Sequence, residues 1–232
     1  MPAAKEEQTK KITITEYINV FFQKNRKAIL IGFIAVMVLI VALVAGITVK
    51  DNLQQKALSK VDGFNRRYLE LKEFINSTDA ESLSKHTDLV VLMVEIDDFA
   101  GKNSGFPAAR AYSLSADILT EQKNWEEAEK SYLNAAKAAG KSYFAPVSFF
   151  NAAAAAEEQG NAEAAIDHYK KALDFEKSFA ASARAQFSIG RLEEERNNKS
   201  AALEAYNNVV AKWPNEALWT NLAQNRIIVL AN

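Results

Sequence analysis

Hydrophobic positions fall into three regimes along this chain. From Ala28 to Val49 every residue is apolar or small, with Lys27 and Lys50 at the borders. Before that run, Ile14, Tyr17, Ile18 and Phe21 recur at the i, i+3, i+4, i+7 spacing of one helix face, with Thr15 placed as its N-cap. After it the apolar residues keep helical spacing to the end, and no period-2 strand pattern interrupts them. The pattern predicts an all-α chain: an N-terminal transmembrane helix followed by a helical domain.

The uncharged run covers 22 residues. At about 1.5 Å per residue it is long enough for a hydrocarbon core of about 30 Å. It exceeds the core of about 7–15 residues usual in a cleaved signal peptide, so it reads as an anchor; Val44-Ala45-Gly46 supplies the competing cleavage site. The near flanks carry Lys24, Arg26 and Lys27 on one side against Lys50 and Asp51 on the other, a bias toward a cytoplasmic N-terminus. The segments expected are residues 1–27, cytoplasmic with a short amphipathic helix on the bilayer face, and residues 28–49, crossing the lipid bilayer. Residues 50–105 follow as a membrane-proximal helix pair, either a cap or a degenerate repeat, and 106–232 as three repeats with a C-terminal capping helix, outside the cytoplasm. Ala28/Gly32 and Ala42/Gly46 are small-xxx-small pairs suited to a second helix.

In 50–105, Ala57, Val61, Phe64, Tyr68, Leu71 and Ile75 follow 4-3-4-3-4 steps. The stripe suits either a coiled-coil homodimer or packing on the next helix. Thr78 and Glu81 form a capping-box pattern for that next helix, which carries Leu89, Leu92, Met93, Ile96 and Ala100. Gly101-Lys-Asn-Ser-Gly105 lacks the spacing of a phosphate loop and reads as a turn.

From residue 106 the chain repeats. Ala128/Tyr132/Ala135, Ala165/Tyr169/Ala172 and Ala202/Tyr206/Val209 stand 37 residues apart, and Pro214 closes the third copy. The small residue lets two helices approach closely and the aromatic fills the space beside it. These residues resemble the second helix of the tetratricopeptide repeat, at 37 rather than 34 residues per copy, which implies a right-handed α-solenoid. First helices are expected at Ala108–Glu121, Val147–Gln159 and Ala183–Arg196, with a capping helix over Glu216–Leu230. Repeat register places Arg110, Ser113 and Asp117, then Val147, Phe150 and Ala154, then Arg184, Phe187 and Arg191 on the groove. Those aromatics and arginines suit an extended peptide with apolar and acidic side chains; Phe150 and Phe187 serve equally well as packing between repeats.

Charge and chemistry then narrow the function. Of 28 Lys and Arg and 29 Asp and Glu, the first 27 residues hold six and three, leaving 22 and 26 after the span, a net of −4. That balance argues against nucleic acid. There is no cysteine, so neither a lipid-bearing thiol nor a disulfide framework exists. His168 beside Asp167, the Glu157-Glu158 pair and Glu193-Glu194-Glu195 read as solvated helix faces, not as a metal ligand or an acid/base pair. Asn76-Ser-Thr and Asn198-Lys-Ser match a short glycosylation sequon. No nucleophile–base set or cofactor loop is present, so neither an enzyme nor a cofactor is expected.

The order of parts, with Phe21-Phe22-Gln-Lys-Asn25-Arg-Lys27-Ala28 and then Gly32 at the span, resembles the ancillary SecYEG translocon-subunit family. The resemblance implies a single-pass inner-membrane protein with a periplasmic repeat domain. It implies the translocon, exported clients and periplasmic chaperones as partners. The competing expectation is a scaffold that organises a membrane complex without client binding.

Overall fold

The computed structural model describes residues 14–75 and 80–231, and among them the secondary structure is helical throughout. The elements are α1 (Ile14–Ile75), α2 (Ala80–Lys102), α3 (Gly105–Glu121), α4 (Trp125–Ala139), α5 (Phe144–Glu158), α6 (Ala162–Leu173), α7 (Ser182–Glu195), α8 (Lys199–Lys212) and α9 (Ala217–Ala231). Two compact units divide at Leu53/Gln54.

The first unit is the N-terminal part of α1. The helix has already begun at Ile14, so Thr15 lies inside it and caps nothing, and the amphipathic turn runs into the apolar run without a break. Asn25 Nδ2 donates to the Phe21 carbonyl at 2.9 Å, within the ordinary helix ladder. Every side chain from Ala28 to Val49 is exposed. The run is long and apolar enough to cross a membrane. The capping-box residue Thr78 and the first sequon lie outside the described residues.

The second unit opens with the rest of α1. Val61, Phe64, Tyr68 and Leu71 are buried against Leu89, Leu92, Ile96 and Phe99 of α2 and against Ala111, Leu114 and Ile118 of α3. Phe64 meets Phe99 edge-to-face at 5.6 Å. The heptad-like stripe is therefore spent within the chain, on the neighbouring helices, and is not free for a coiled coil. Within the Gly101–Gly105 segment, Asn103 and Ser104 alone form the turn between α2 and α3.

Helices α3 to α8 form three antiparallel pairs, and the same turn joins the two helices of each. Lys123, Gly160 and Asn197, 37 residues apart, all have positive φ (59°, 74° and 59°). The next amide closes back five residues each time: Asn124 to Leu119, Asn161 to Ala156 and Asn198 to Glu193, at 2.8–2.9 Å. This is the Schellman ending, which satisfies the last carbonyls of the first helix. Asn161 and Asn198 then cap the second helix by accepting from Ala164 N and Ala201 N at 3.1 and 3.4 Å. Asn198 Nδ2 also donates to Glu193 at 3.1 Å, so the second sequon asparagine is a structural cap. Connections between pairs are longer, at 140–143 and 174–181, and the latter buries Phe179 against Phe150.

Ala128, Ala165 and Ala202 are 0% exposed, and the tyrosines four residues on are buried. The core is a series of clusters along the stack, as expected where each repeat packs only on its neighbours. Gly190 sets the depth of the last tyrosine. A Cβ there would stand 2.6 Å from the Tyr206 ring, while Ala116 and Ala153 occupy the equivalent positions in the earlier copies. Tyr206 accordingly sinks to 1% exposure, against 5% for Tyr132 and 3% for Tyr169. Helix α9 covers the end of the stack, with Ala223 buried against Ala202, Tyr206 and Val209, and Trp219 and Ile227 beside them.

Two substitutions test this packing and turn geometry. Gly190→Ala should lower the unfolding free energy by about 1–2 kcal/mol, because overpacking against the tyrosine outweighs the gain in helix propensity. Lys123→Gly should raise it by about 1 kcal/mol by relieving a left-handed residue that carries a Cβ. Urea titration of the detergent-solubilised chain, followed by circular dichroism, measures both.

Candidate functional site

The row of first helices presents one face in common. On α3, Arg110, Ser113, Asp117, Thr120 and Glu121 recur at three- and four-residue steps, and the same positions on α5 and α7 lie 37 and 74 residues further on. Hydrogen bonds run along this face in a repeated form. Tyr132 Oη donates to Asp117 Oδ1 at 2.6 Å, Tyr169 Oη to Glu157 Oε1 at 2.7 Å, and Tyr206 Oη to Glu194 Oε2 at 3.0 Å. Each bond ties the tyrosine of a second helix to a carboxylate on its own first helix. Burial, and then the carboxylate beside each, push the pKa of all three phenols up, so they stay protonated donors at neutral pH.

Arginines link neighbouring pairs. Arg191 of α7 donates to Glu157 of α5 and, at 2.8 Å, to Glu195 on its own helix; Arg226 of α9 donates to Glu194 of α7. At the other end, Arg110 pairs with Asp62 at 3.1 Å, while Lys72 and Tyr68 both donate to Glu121 at 2.6 Å. The Lys72 ammonium, with the Tyr68 hydroxyl, holds Glu121 below the usual carboxylate range, and Arg226 does the same to Glu194. Asp117 behaves oppositely. Protein packed around it raises its value against the opposing effect of the Tyr132 bond, and Glu121 adds repulsion.

The sequence-derived groove residues thus divide. Phe150 is a core residue, 9% exposed, against Tyr169 at 5.1 Å and Phe179 at 5.9 Å, with the Arg184 guanidinium 5.0 Å above its ring. Phe187 is half-buried between Tyr206 and Trp219, at 5.2 and 5.6 Å. It lines a cleft of about 420 Å³ with Arg191, Glu194, Glu195, Tyr206 and Arg226. Ser113 is half-buried, and Arg184, Val147 and Ala154 are exposed on the same face. Pro214 follows α8 in the turn to α9. A wider depression of about 740 Å³ at the α6–α7 connection is lined by charges of both signs, among them Lys170, Glu176 and Lys212, and contains none of the groove residues.

Three readings of the sequence need correction. His168 does not sit on a solvated face: it is 6% exposed, and its Nε2 lies 2.8 Å from Glu129 Oε1 of α4. Since a carboxylate only accepts, Nε2 carries the proton. Gln159 Nε2 donates to the other oxygen of Glu129 at 2.7 Å, so the trio braces two adjacent pairs. Glu157 and Glu194 are the carboxylates of the tyrosine–arginine links, and Glu193 is 8% exposed. The tyrosine, arginine and glutamate partners of His168, Glu157 and Glu194 stand 12 to 39 residues away, beyond any local pattern; only the recurrence of Glu157 and Glu194 one repeat apart signalled them. Among the described residues no group of three or more His, Asp and Glu is placed to hold a metal ion.

Residues 107–178 and 184–216 each match the tetratricopeptide repeat family. The stack is built of tetratricopeptide repeats. The two matches span α3 to α6 and α7 to α8, leaving α2 and α9 as flanking helices. The chain is also 28% identical over 221 residues to a TPR repeat-containing protein of Treponema pallidum (strain Nichols), covering 90% of this chain and 92% of that relative. Tetratricopeptide repeats indicate a protein-interaction module, and the groove above is its candidate contact face.

The ion pairs fix a pH response. Glu121 and Glu194 have folded values lowered from about 4.5, so their contribution is complete above that pH and is lost as pH falls through the lowered values. Arg226→Gln should cost about 0.5–1 kcal/mol at pH 7, as befits a half-exposed pair, and much less at pH 3. Urea midpoints of both chains at the two pH values measure the difference.

Proposed function

We propose that this protein is a membrane-anchored protein-interaction module associated with the Sec translocon. In this reading α1 crosses the inner membrane through 28–49 with its N-terminus in the cytoplasm, and the repeat groove faces the periplasm. There it assists the transfer of exported proteins to periplasmic chaperones. The observation that carries the reading is the union on one chain of a fully exposed 22-residue apolar helical run and a repeat stack with an open groove. An apolar surface of that length needs a cover, and a bilayer supplies it. A groove holding a half-buried phenylalanine, ringed by arginines and carboxylates, suits extended chains of mixed sequence. The order of parts that resembles the ancillary translocon subunits supports the partner class.

Protease added to intact cells with an opened outer permeability barrier should digest residues beyond 50 and spare the N-terminal segment. A photo-reactive phenylalanine at position 187 should then crosslink many different exported chains. A tail protected until lysis, or a single stoichiometric partner at position 187, would instead establish a scaffold of a membrane complex.

A further inference from the structure

The links along the groove follow a rule that is broken once. In the seam between α5 and α7, Arg191 of the later helix reaches back to Glu157 of the earlier one, which also receives the Tyr169 hydroxyl. In the seam between α7 and α9, Arg226 reaches Glu194, which receives Tyr206. In the seam between α3 and α5 the equivalent positions, 37 residues before Arg191 and Glu157, are Ala154 and Thr120. The arginine is missing, and so is the glutamate it would neutralise. The carboxylate has moved instead to Asp117, one helical turn earlier on α3, where it takes the hydroxyl of Tyr132.

Asp117 is the tyrosine-bonded carboxylate of this face that has no cation of its own. Its Oδ1 accepts from Tyr132, and among the described residues no hydrogen bond or ion pair engages Oδ2. Of the other charges on α3, Glu121 is committed to Lys72 and Arg110 to Asp62. Thr120 Oγ1 stands 3.4 Å from the same Tyr132 hydroxyl, adding a second oxygen to the spot. Across the seam, exposed Ala154 and Val147 of α5 offer short, apolar walls where α7 carries a long arginine. Asp117 is exposed on this face, and a carboxylate fixed there by a tyrosine with no counter-charge gains from a cation brought by a ligand.

We propose that the groove takes an extended peptide through one basic side chain, lysine or arginine, seated against Asp117 and Thr120 in the seam between α3 and α5, with its methylenes along Val147 and Ala154. The occupant supplies the charge that Arg191 and Arg226 supply in the other two seams. The inference rests on the peptide-binding reading of the groove, and adds its charge selectivity: acceptance of a basic residue at the N-terminal part of the stack.

The test uses the full chain in detergent micelles and a dye-labelled, unstructured ten-residue peptide of Phe, Leu, Ser and Gly with one central lysine. A twin peptide carries glutamine in place of the lysine. Fluorescence anisotropy should show the lysine peptide binding about ten-fold tighter, the size expected of one charge-assisted contact. Asp117→Asn keeps an acceptor for Tyr132 and should make the two peptides equal. Ala154→Arg installs the missing arginine and should erase the preference in the same way, with the circular dichroism melt of both variants matching the parent's. Equal binding of both peptides to the parent, with Phe187→Ala weakening both, would leave the groove reading standing and overturn the inference. A lysine preference that survives both Asp117→Asn and Ala154→Arg would overturn it too. If neither peptide binds, the groove reading itself fails and this inference falls with it.

Discussion

The close approach of paired helices over alanine, filled by a tyrosine, is the contact on which the stack depends. Ala128, Ala165 and Ala202 are at 0% exposure, so a larger side chain there would have to displace packed atoms. The ring beside each alanine fills the gap that the small residue leaves, and carries its hydroxyl to the edge of the pair. A buried hydroxyl needs a partner, and the carboxylate on the first helix provides it. One packing choice therefore dictates a polar consequence on the groove face, three times over.

That consequence shapes the groove. Because Asp117, Glu157 and Glu194 are pinned from below by tyrosines, they are rigid points of negative charge rather than mobile surface side chains. Neighbouring helices answer two of them with arginine, which ties adjacent repeats together and removes those charges from play. The groove is thus less charged than its residue list suggests. Its apolar content is also smaller: Phe150 belongs to the core, and Phe187 offers only the part of its ring left uncovered by Tyr206 and Trp219.

The turns show how far local chemistry reaches. Three left-handed residues stand at one register, yet they are a lysine, a glycine and an asparagine. Only the last two types favour that conformation on their own; Lys123 adopts it because the helices on either side are already held by their alanines.

The membrane-length run, the all-helical class, the 37-residue period and the packing residues were legible in the sequence because each is a local or periodic property. Hydrophobic spacing needs only a helix to act on, and a repeat announces itself by recurrence. What only the tertiary structure decided was where long side chains end. His168 meets Glu129 of another pair, Glu157 and Glu194 turn from the surface to a tyrosine and an arginine, and the 4-3-4 stripe of α1 is used up on α2 and α3. These are distances between residues 12 to 53 positions apart, set by how helices lie against one another, and no window of sequence contains them.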